Sequence, residues 1–162
     1  MKSTLTTIES LSPSQHRQLL EIELLDDQKA LFGDIHGALH GLTARPASDI
    51  QGYVLLVEDV PRGFFLVKSR SLLPVWAEGQ TAVLQGLLID HRYQGMGLGK
   101  ACLSRLPDLI RALWPDIRQL MLAVDAANSA AHGLYLKQGW QACGNAGRSP
   151  TGLEQRMVLR LT

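Results

Sequence analysis

Ile89-Asp90-His91-Arg92-Tyr93-Gln94-Gly95-Met96-Gly97-Leu98-Gly99-Lys100 is the stretch on which the reading of this chain turns. It follows a strongly apolar run, Thr81 to Ile89. After it, Leu98, Cys102, Leu103, Leu106, Leu109, Ile110 and Leu113 recur at helical spacing. Three glycines alternate where that helix must begin. Glycine lets the backbone turn tightly and come close to a ligand. The first amides of a helix have no intrahelical acceptor, and the helix dipole adds positive charge there, so the junction suits an anion such as phosphate. Standing alone, the segment also fits an ordinary glycine-rich turn.

Two other phosphate-binding patterns fail on particular residues. A Walker loop ending at Gly99-Lys100 needs glycine at 94 and Ser or Thr at 101, where the chain has Gln94 and Ala101. The dinucleotide fingerprint needs a third glycine at 100 or 102, where Lys100 and Cys102 stand.

Working outward, Leu5 to Leu11 alternates weakly as a strand, and Ser12-Pro13 is a helix start with a capping serine and a proline in the first turn. Ala30, Leu31, Ile35, Ala38, Leu39 and Leu42 predict a second helix over residues 26–42. Tyr53 to Val57 and Phe64 to Val67 form a hairpin about a turn at Glu58 to Gly63, and Ser71 to Gln80 is a loop. Pro107 should kink or divide the helix that starts at Leu98, because an interior proline loses a backbone bond. Further on come a strand at Gln119 to Val124, a helix at Asn128 to Gln138, an extended piece at Trp140 to Cys143, a turn within Gly144 to Gly152, and a last strand at Leu153 to Leu161. This order makes one α/β (α+β) domain over residues 1–162, a single sheet covered by helices.

Composition excludes several classes of function. The chain has 162 residues, 46% hydrophobic and 19% charged, the make-up of one globular domain. A net charge of +1 without a basic run argues against nucleic acid as a partner. No apolar stretch approaches the roughly 20 residues of a membrane span. Residues 1–10 lack a signal-peptide core, so a cytoplasmic location is expected. Cys102 and Cys143 form no CxxC pair and have no zinc-like histidine spacing, so no metal site is expected.

Gln94-x-x-Gly97-x-Gly99 after an apolar strand resembles the pyrophosphate loop of the GNAT N-acetyltransferase superfamily. Asn128-x-x-Ala131-x-x-Leu134-Tyr135-x-x-x-Gly139-Trp140 resembles that family's later motif, with tryptophan where phenylalanine is commoner. The motifs stand in the family's order and cover about a third of the chain.

The resemblance implies a mixed, mostly antiparallel sheet, splayed at the CoA site, with helices on both faces. It implies acetyl-CoA as acyl donor, with no metal, and direct attack on the thioester by an amine acceptor. Backbone groups of Leu87, Leu88 and Ile89 would pair with the pantetheine arm and hold the thioester carbonyl. Gln94, Gly95, Met96, Gly97, Leu98, Gly99 and Lys100 would receive the pyrophosphate. Asn128, which also reads as a helix N-cap, would touch the cofactor. Tyr135 would be the catalytic acid that protonates the departing thiolate. The side chains of Leu87, Leu88 and Ile89 read equally as sheet core, and Tyr135 as a core tyrosine.

Where the family commonly carries a basic carboxylate on the strand before the loop, this chain has Gln85 and Gly86. Glu78, Asp90, Asp125, His91 and His132 stand near the motifs as substitutes. The acidic cluster Glu21, Glu23, Asp26 and Asp27 suits a cationic amine, and Asp27-Gln28-x-x-x-Phe32 resembles polyamine acetyltransferases of the superfamily, although a solvated helix surface explains these residues as well. The expected acceptor is therefore a polyamine-like or other small amine, or a peptide amine. A non-catalytic acyl-CoA-binding regulatory module is the alternative. The family's frequent homodimers leave a homodimer open.

Overall fold

A computed structural model describes residues 2–23, 47–149 and 152–161 of the chain. The helix expected over residues 26–42, with Asp26, Asp27, Gln28 and Phe32, lies outside them. Within them the strands are β1 (Ser3–Thr7), β2 (Ile50–Val57), β3 (Val60–Ser69), β4 (Thr81–Ile89), β5 (Gln119–Asp125), β6 (Gln141–Ser149) and β7 (Gly152–Arg160). The helices are α1 (Pro13–Leu19), α2 (Leu98–Leu113) and α3 (Ser129–Lys137). The strands make one seven-stranded sheet in the order β1-β2-β3-β4-β5-β7-β6. Neighbours are antiparallel except β4 and β5, which are parallel. Among the described residues no helix is long and apolar enough to cross a membrane.

Side chains alternate between the faces of a strand, and both faces are covered. On one, Leu98, Cys102, Leu103, Leu106 and Ile110 of α2 pack with Phe65, Val67, Leu84, Leu120, Leu122 and Tyr135. On the other, Leu19 at the end of α1 and the following Ile22 pack on Val54, Leu56, Phe64, Leu66 and Leu88. Ser12 starts α1 as its sequence suggests, its Oγ accepting from the Gln15 amide at 3.1 Å while its own amide donates to Gln15 Oε1 at 3.0 Å.

Four sequence expectations change. The β2-β3 turn is confined to Glu58 and Asp59, both at positive φ (49° and 66°), and Val60 to Gly63 belong to β3. Pro61 is tolerated there because it falls at a register shift opposite Leu56. Pro107 does not divide α2, which runs unbroken from Leu98 to Leu113. Each apolar side chain buried on both sides of it contributes about 1.5–3 kcal/mol, which together offset the proline's ~3 kcal/mol. The glycine-rich segment after Cys143 is strand β6, with register shifts between Ala142 and Gly144 and between Asn145 and Gly147. The strand at the N-terminus ends at Thr7, and Ile8–Ser10 is a 3-10 turn.

The C-terminal end of β4 is locked by charge. Asp90 is fully buried and takes Arg92 Nε at 3.0 Å and Nη2 at 2.8 Å, with Arg62 Nη1 at 3.5 Å. Burial alone would raise this carboxyl. The side-chain and backbone hydrogen bonds from Arg92, with the charges of Arg92 and Arg62, outweigh it and hold the pKa below the ordinary value. The same turn is tied to the end of α1. The His91 amide donates to Glu23 O at 2.7 Å, and Arg92 Nε lies 3.6 Å from Glu23 Oε2. Arg62 stacks on the Tyr93 ring at 4.1 Å.

Removing Asp90 should therefore cost the fold more than a surface substitution. Asp90→Ala is expected to lower unfolding free energy by roughly 1.5–3 kcal/mol near neutral pH, since it removes the buried acceptor of charge-assisted hydrogen bonds from both guanidinium groups. Because the folded pKa is depressed, that contribution is complete above about pH 4, the ordinary aspartate value, and is lost as pH falls through the lower folded value. Urea unfolding of both proteins at neutral pH and near pH 3 checks this. Equal stabilities at neutral pH, or a difference that grows in acid, would contradict it.

Candidate functional site

The site begins where backbone pairing stops. β4 and β5 are in register only from Thr81↔Gln119 to Val83↔Met121, although β4 continues to Ile89 and β5 to Asp125. Each stays paired on its outer side, β4 to β3 and β5 to β7. A gap therefore opens between two inner edges, residues 84–89 and 122–125, that have no strand partner in each other.

A bulge in β4 fixes the divergence. Gln85 pairs with Leu66 and Leu88 with Phe64, so Gly86 and Leu87 together oppose Phe65. Gly86 takes φ 65°, which a side chain would resist. Leu88 is buried in the α1-side core, while Leu87 and Ile89 are half-buried against the α2 side. Gln85 is exposed and shares the α1 face with Leu66.

The gap leads to the glycine loop. Gln94 Nε2 donates to Ile89 O at 3.2 Å, folding the loop back on the strand end. Gly95 and Gly97 have φ of 77° and 78°, and Gly97 is the N-cap of α2. The helical ladder starts with the Ala101 amide donating to Gly97 O at 3.0 Å. Among the described residues no acceptor takes the amides of residues 95–100, so they line the start of a 16-residue helix with unspent donors. Leu98 is buried in the core and anchors the loop, while Met96 and Lys100 are exposed. Gly99 has a packing role, since a Cβ there would lie 3.1 Å from Leu134 of α3.

α3 supplies the remaining predicted residues. Asn128 Oδ1 accepts from the Ala131 amide at 3.2 Å, so its carbonyl serves the cap and its amide Nδ2 is what a ligand could meet. Tyr135 is buried beside Trp140, with ring centroids 5.8 Å apart, and belongs to the same core as Leu98, Leu122 and Val124. Burial pushes its hydroxyl up to about 12, so it keeps its proton at neutral pH.

The substitutes for a strand carboxylate are sorted by position. Asp90 is buried, depressed and doubly paired with arginine, which disqualifies it as a base. His132 lies on the α3 side, its Nε2 2.6 Å from Gln155 Oε1. Asp125 ends β5 and accepts from the Ala127 amide at 2.8 Å. His91 is exposed on the turn locked to Glu23. Glu78 is exposed and lies 3.4 Å from Arg156, a residue that sequence reasoning passed over. Its signal was an arginine in the middle of the last strand, directly before the apolar run Met157-Val158-Leu159. Of the acidic cluster, Glu23 faces Arg92, Glu21 is exposed, and Asp26 and Asp27 lie outside the described residues.

Comparison with known proteins bears directly on this arrangement. The sequence profile of the Acetyltransferase (GNAT) family matches residues 7–140. The Uncharacterized N-acetyltransferase YbbJ of Bacillus subtilis (strain 168) is 30% identical over 101 residues, which are 61% of this chain and 63% of that protein. The match thus spans just under two-thirds of that curated relative. Spermidine N-acetyltransferase from Vibrio cholerae, in complex with CoA and spermine, has a TM-score of 0.73 at 14% identity, over 98% of this chain and 95% of its own. Ribosomal-protein-S18-alanine N-acetyltransferase from Escherichia coli has a TM-score of 0.67 at 19% identity, over 99% and 95%. At those identities the two structures share a fold with this chain, and the profile, which runs from the end of β1 through the α3 motif, shows that the chain belongs to the Acetyltransferase (GNAT) family.

Proposed function

We propose that this chain is an N-acetyltransferase that moves an acetyl group from acetyl-CoA to the primary amine of a small molecule or peptide. The observation that carries this reading is the gap between β4 and β5 leading directly onto the unspent amides of residues 95–100. An extended arm with amide groups can pair with the open edge of β4 at Leu87, Leu88 and Ile89, as an added strand does. A pyrophosphate at its far end would meet Gln94, Gly95, Met96, Gly97, Leu98, Gly99 and Lys100, where the helix start favours negative charge. The Asn128 side-chain amide, left over from the cap at the start of α3, would meet the same arm.

The reaction needs a neutral amine, an acidic group for the departing thiolate and a donor for charge developing on the thioester oxygen. Tyr135 suits the acid because burial keeps it protonated. A backbone amide on the open edge of β4 suits the donor. The amine proton leaves to a carboxylate or to water at the α1-side mouth of the gap, where Gln85 has no basic group to offer. Polyamine-like amines and other small amine metabolites are the first acceptors to try.

Three measurements test the proposal. Calorimetric titration with acetyl-CoA, followed by free-thiol release against amines and amine-bearing peptides, should show binding and amine-dependent release. Binding without release from any amine would favour an acyl-CoA-binding regulatory module, and absent binding would overturn the placement of the site. Gly97→Val puts a branched side chain at φ 78° on the surface assigned to the phosphates, so acetyl-CoA affinity should fall at least about tenfold for a strain of roughly 1–2 kcal/mol. Normal affinity in a folded Gly97→Val protein would place the pyrophosphate elsewhere. Tyr135→Phe should lower kcat about a hundredfold while the acetyl-CoA Kd stays within about twofold. Undiminished turnover would remove Tyr135 from the acid role.

A further inference from the structure

Arg156 lies in β7 opposite Ala123 of β5 and Gly144 of β6. Its neighbour Met157 and the flanking Leu122 and Val124 belong to the core under α2 and α3, so Arg156 and Ala123 face the α1 side of the sheet. There Nη1 donates to Trp76 O at 2.9 Å, and Nη2 donates to Cys143 O at 3.0 Å. Gly144 admits the guanidinium, since a Cβ there would stand 3.0 Å from Nη2.

The topology makes these bonds informative. Trp76 and Glu78 precede β4, whereas Arg156 lies in β7, and β5 stands between those strands in the sheet. Bonding across that interval carries the segment before β4 over the α1 face of β5, beside the place where β5 parts from β4. An acceptor must approach over this face, because Leu98, Leu122, Val124 and Tyr135 are packed together on the other.

The guanidinium, set back from that mouth on the same face, is held firmly and poorly satisfied. Two backbone carbonyls fix its position without neutralising it. Its Nε is buried and has no hydrogen-bond partner. Glu78, its carboxylate neighbour, meets it through a single contact at 3.4 Å and is itself 76% exposed. A guanidinium fork takes a carboxylate best through two parallel bonds, which Glu78 does not make.

From these observations we infer that the acceptor is an amine that also carries a carboxylate. Arg156 is the specificity-determining residue that receives this carboxylate, displacing Glu78. The inference rests on the proposed acetyl transfer. Strands lie about 5 Å apart, and the guanidinium reaches from β7 toward β6, so it stands roughly one to two strand spacings from the lip of the gap. The amine and the carboxylate are accordingly separated by several bonds.

The test compares straight-chain ω-amino carboxylates of three to six carbons with alkylamines and diamines of the same lengths, with the full chain and acetyl-CoA. Amino carboxylates should be acetylated with at least about tenfold higher kcat/KM. Arg156→Lys, which keeps the charge and loses the fork, should remove most of that preference through KM while the acetyl-CoA Kd stays within about twofold. Glu78→Gln, which removes the competing carboxylate, should lower KM for amino carboxylates and leave KM for plain amines within about twofold. A preference for plain amines or diamines, transfer to none of the series despite acetyl-CoA binding, or a preference that survives Arg156→Lys would overturn the inference. A KM for amino carboxylates that rises in Glu78→Gln would do the same, since Glu78 would then be aiding and not blocking the carboxylate. Failure of the parent chain to bind acetyl-CoA would instead strike the proposed function itself.

Discussion

Backbone groups inside a protein must find partners, and the unpaired stretch between β4 and β5 is the constraint around which the other elements are arranged. The two strands begin in parallel register and separate after Val83 and Met121. Their outer sides remain paired, so neither can swing to close the gap without breaking a ladder that holds the sheet together. The bulge at Gly86 and Leu87 bends β4 where that separation is under way. An open edge in the middle of a sheet is unfavourable unless something extended fills it. The gap ends at a loop whose amides likewise have no acceptor among the described residues, and the proposed acyl-donor site spans both features.

Charged contacts hold the surroundings of the gap in place on both sides. At the end of β4, Asp90 gathers Arg92 and Arg62, and through Arg92 the turn meets the end of α1. On the far side, Arg156 fastens the segment before β4 to β6 and β7. The two locks differ in a physically useful way. Asp90 is sealed from water with its charge answered twice, which makes it a poor acid or base and a good anchor. Arg156 is answered mainly by neutral carbonyls, so it keeps attraction for an anion.

Family membership constrains the acceptor less than it constrains the fold. The two solved structures described above share the fold at 14% and 19% identity, yet their names give different acceptors, spermidine and a ribosomal-protein alanine. Acceptor choice in this chain must therefore be argued from its own residues, and the proposed approach on the α1 face points to Gln85, Glu78 and Arg156. The acidic residues after α1 are weaker guides. Glu23 is already turned to Arg92.

Local chemistry was legible in the sequence wherever a feature is decided within a few residues. The glycine loop, the N-caps at Ser12 and Asn128, the strand Thr81–Ile89 and the amphipathic stripe of α2 all follow from nearby φ requirements, caps and periodicity, and the structure has them at those places. Tertiary contacts decided the rest. Pro107 stays inside one helix because the buried stripe on both sides outweighs its local penalty. The glycines after Cys143 serve bulges in a paired strand, and only the β7 partner could reveal that. The parting of β4 from β5 depends on residues far apart in the chain, and so does the reach of Arg156 to Trp76, 80 positions away. Periodicity and composition read the chain along its length, whereas an unpaired edge and a guanidinium lodged between strands exist only once distant segments lie side by side.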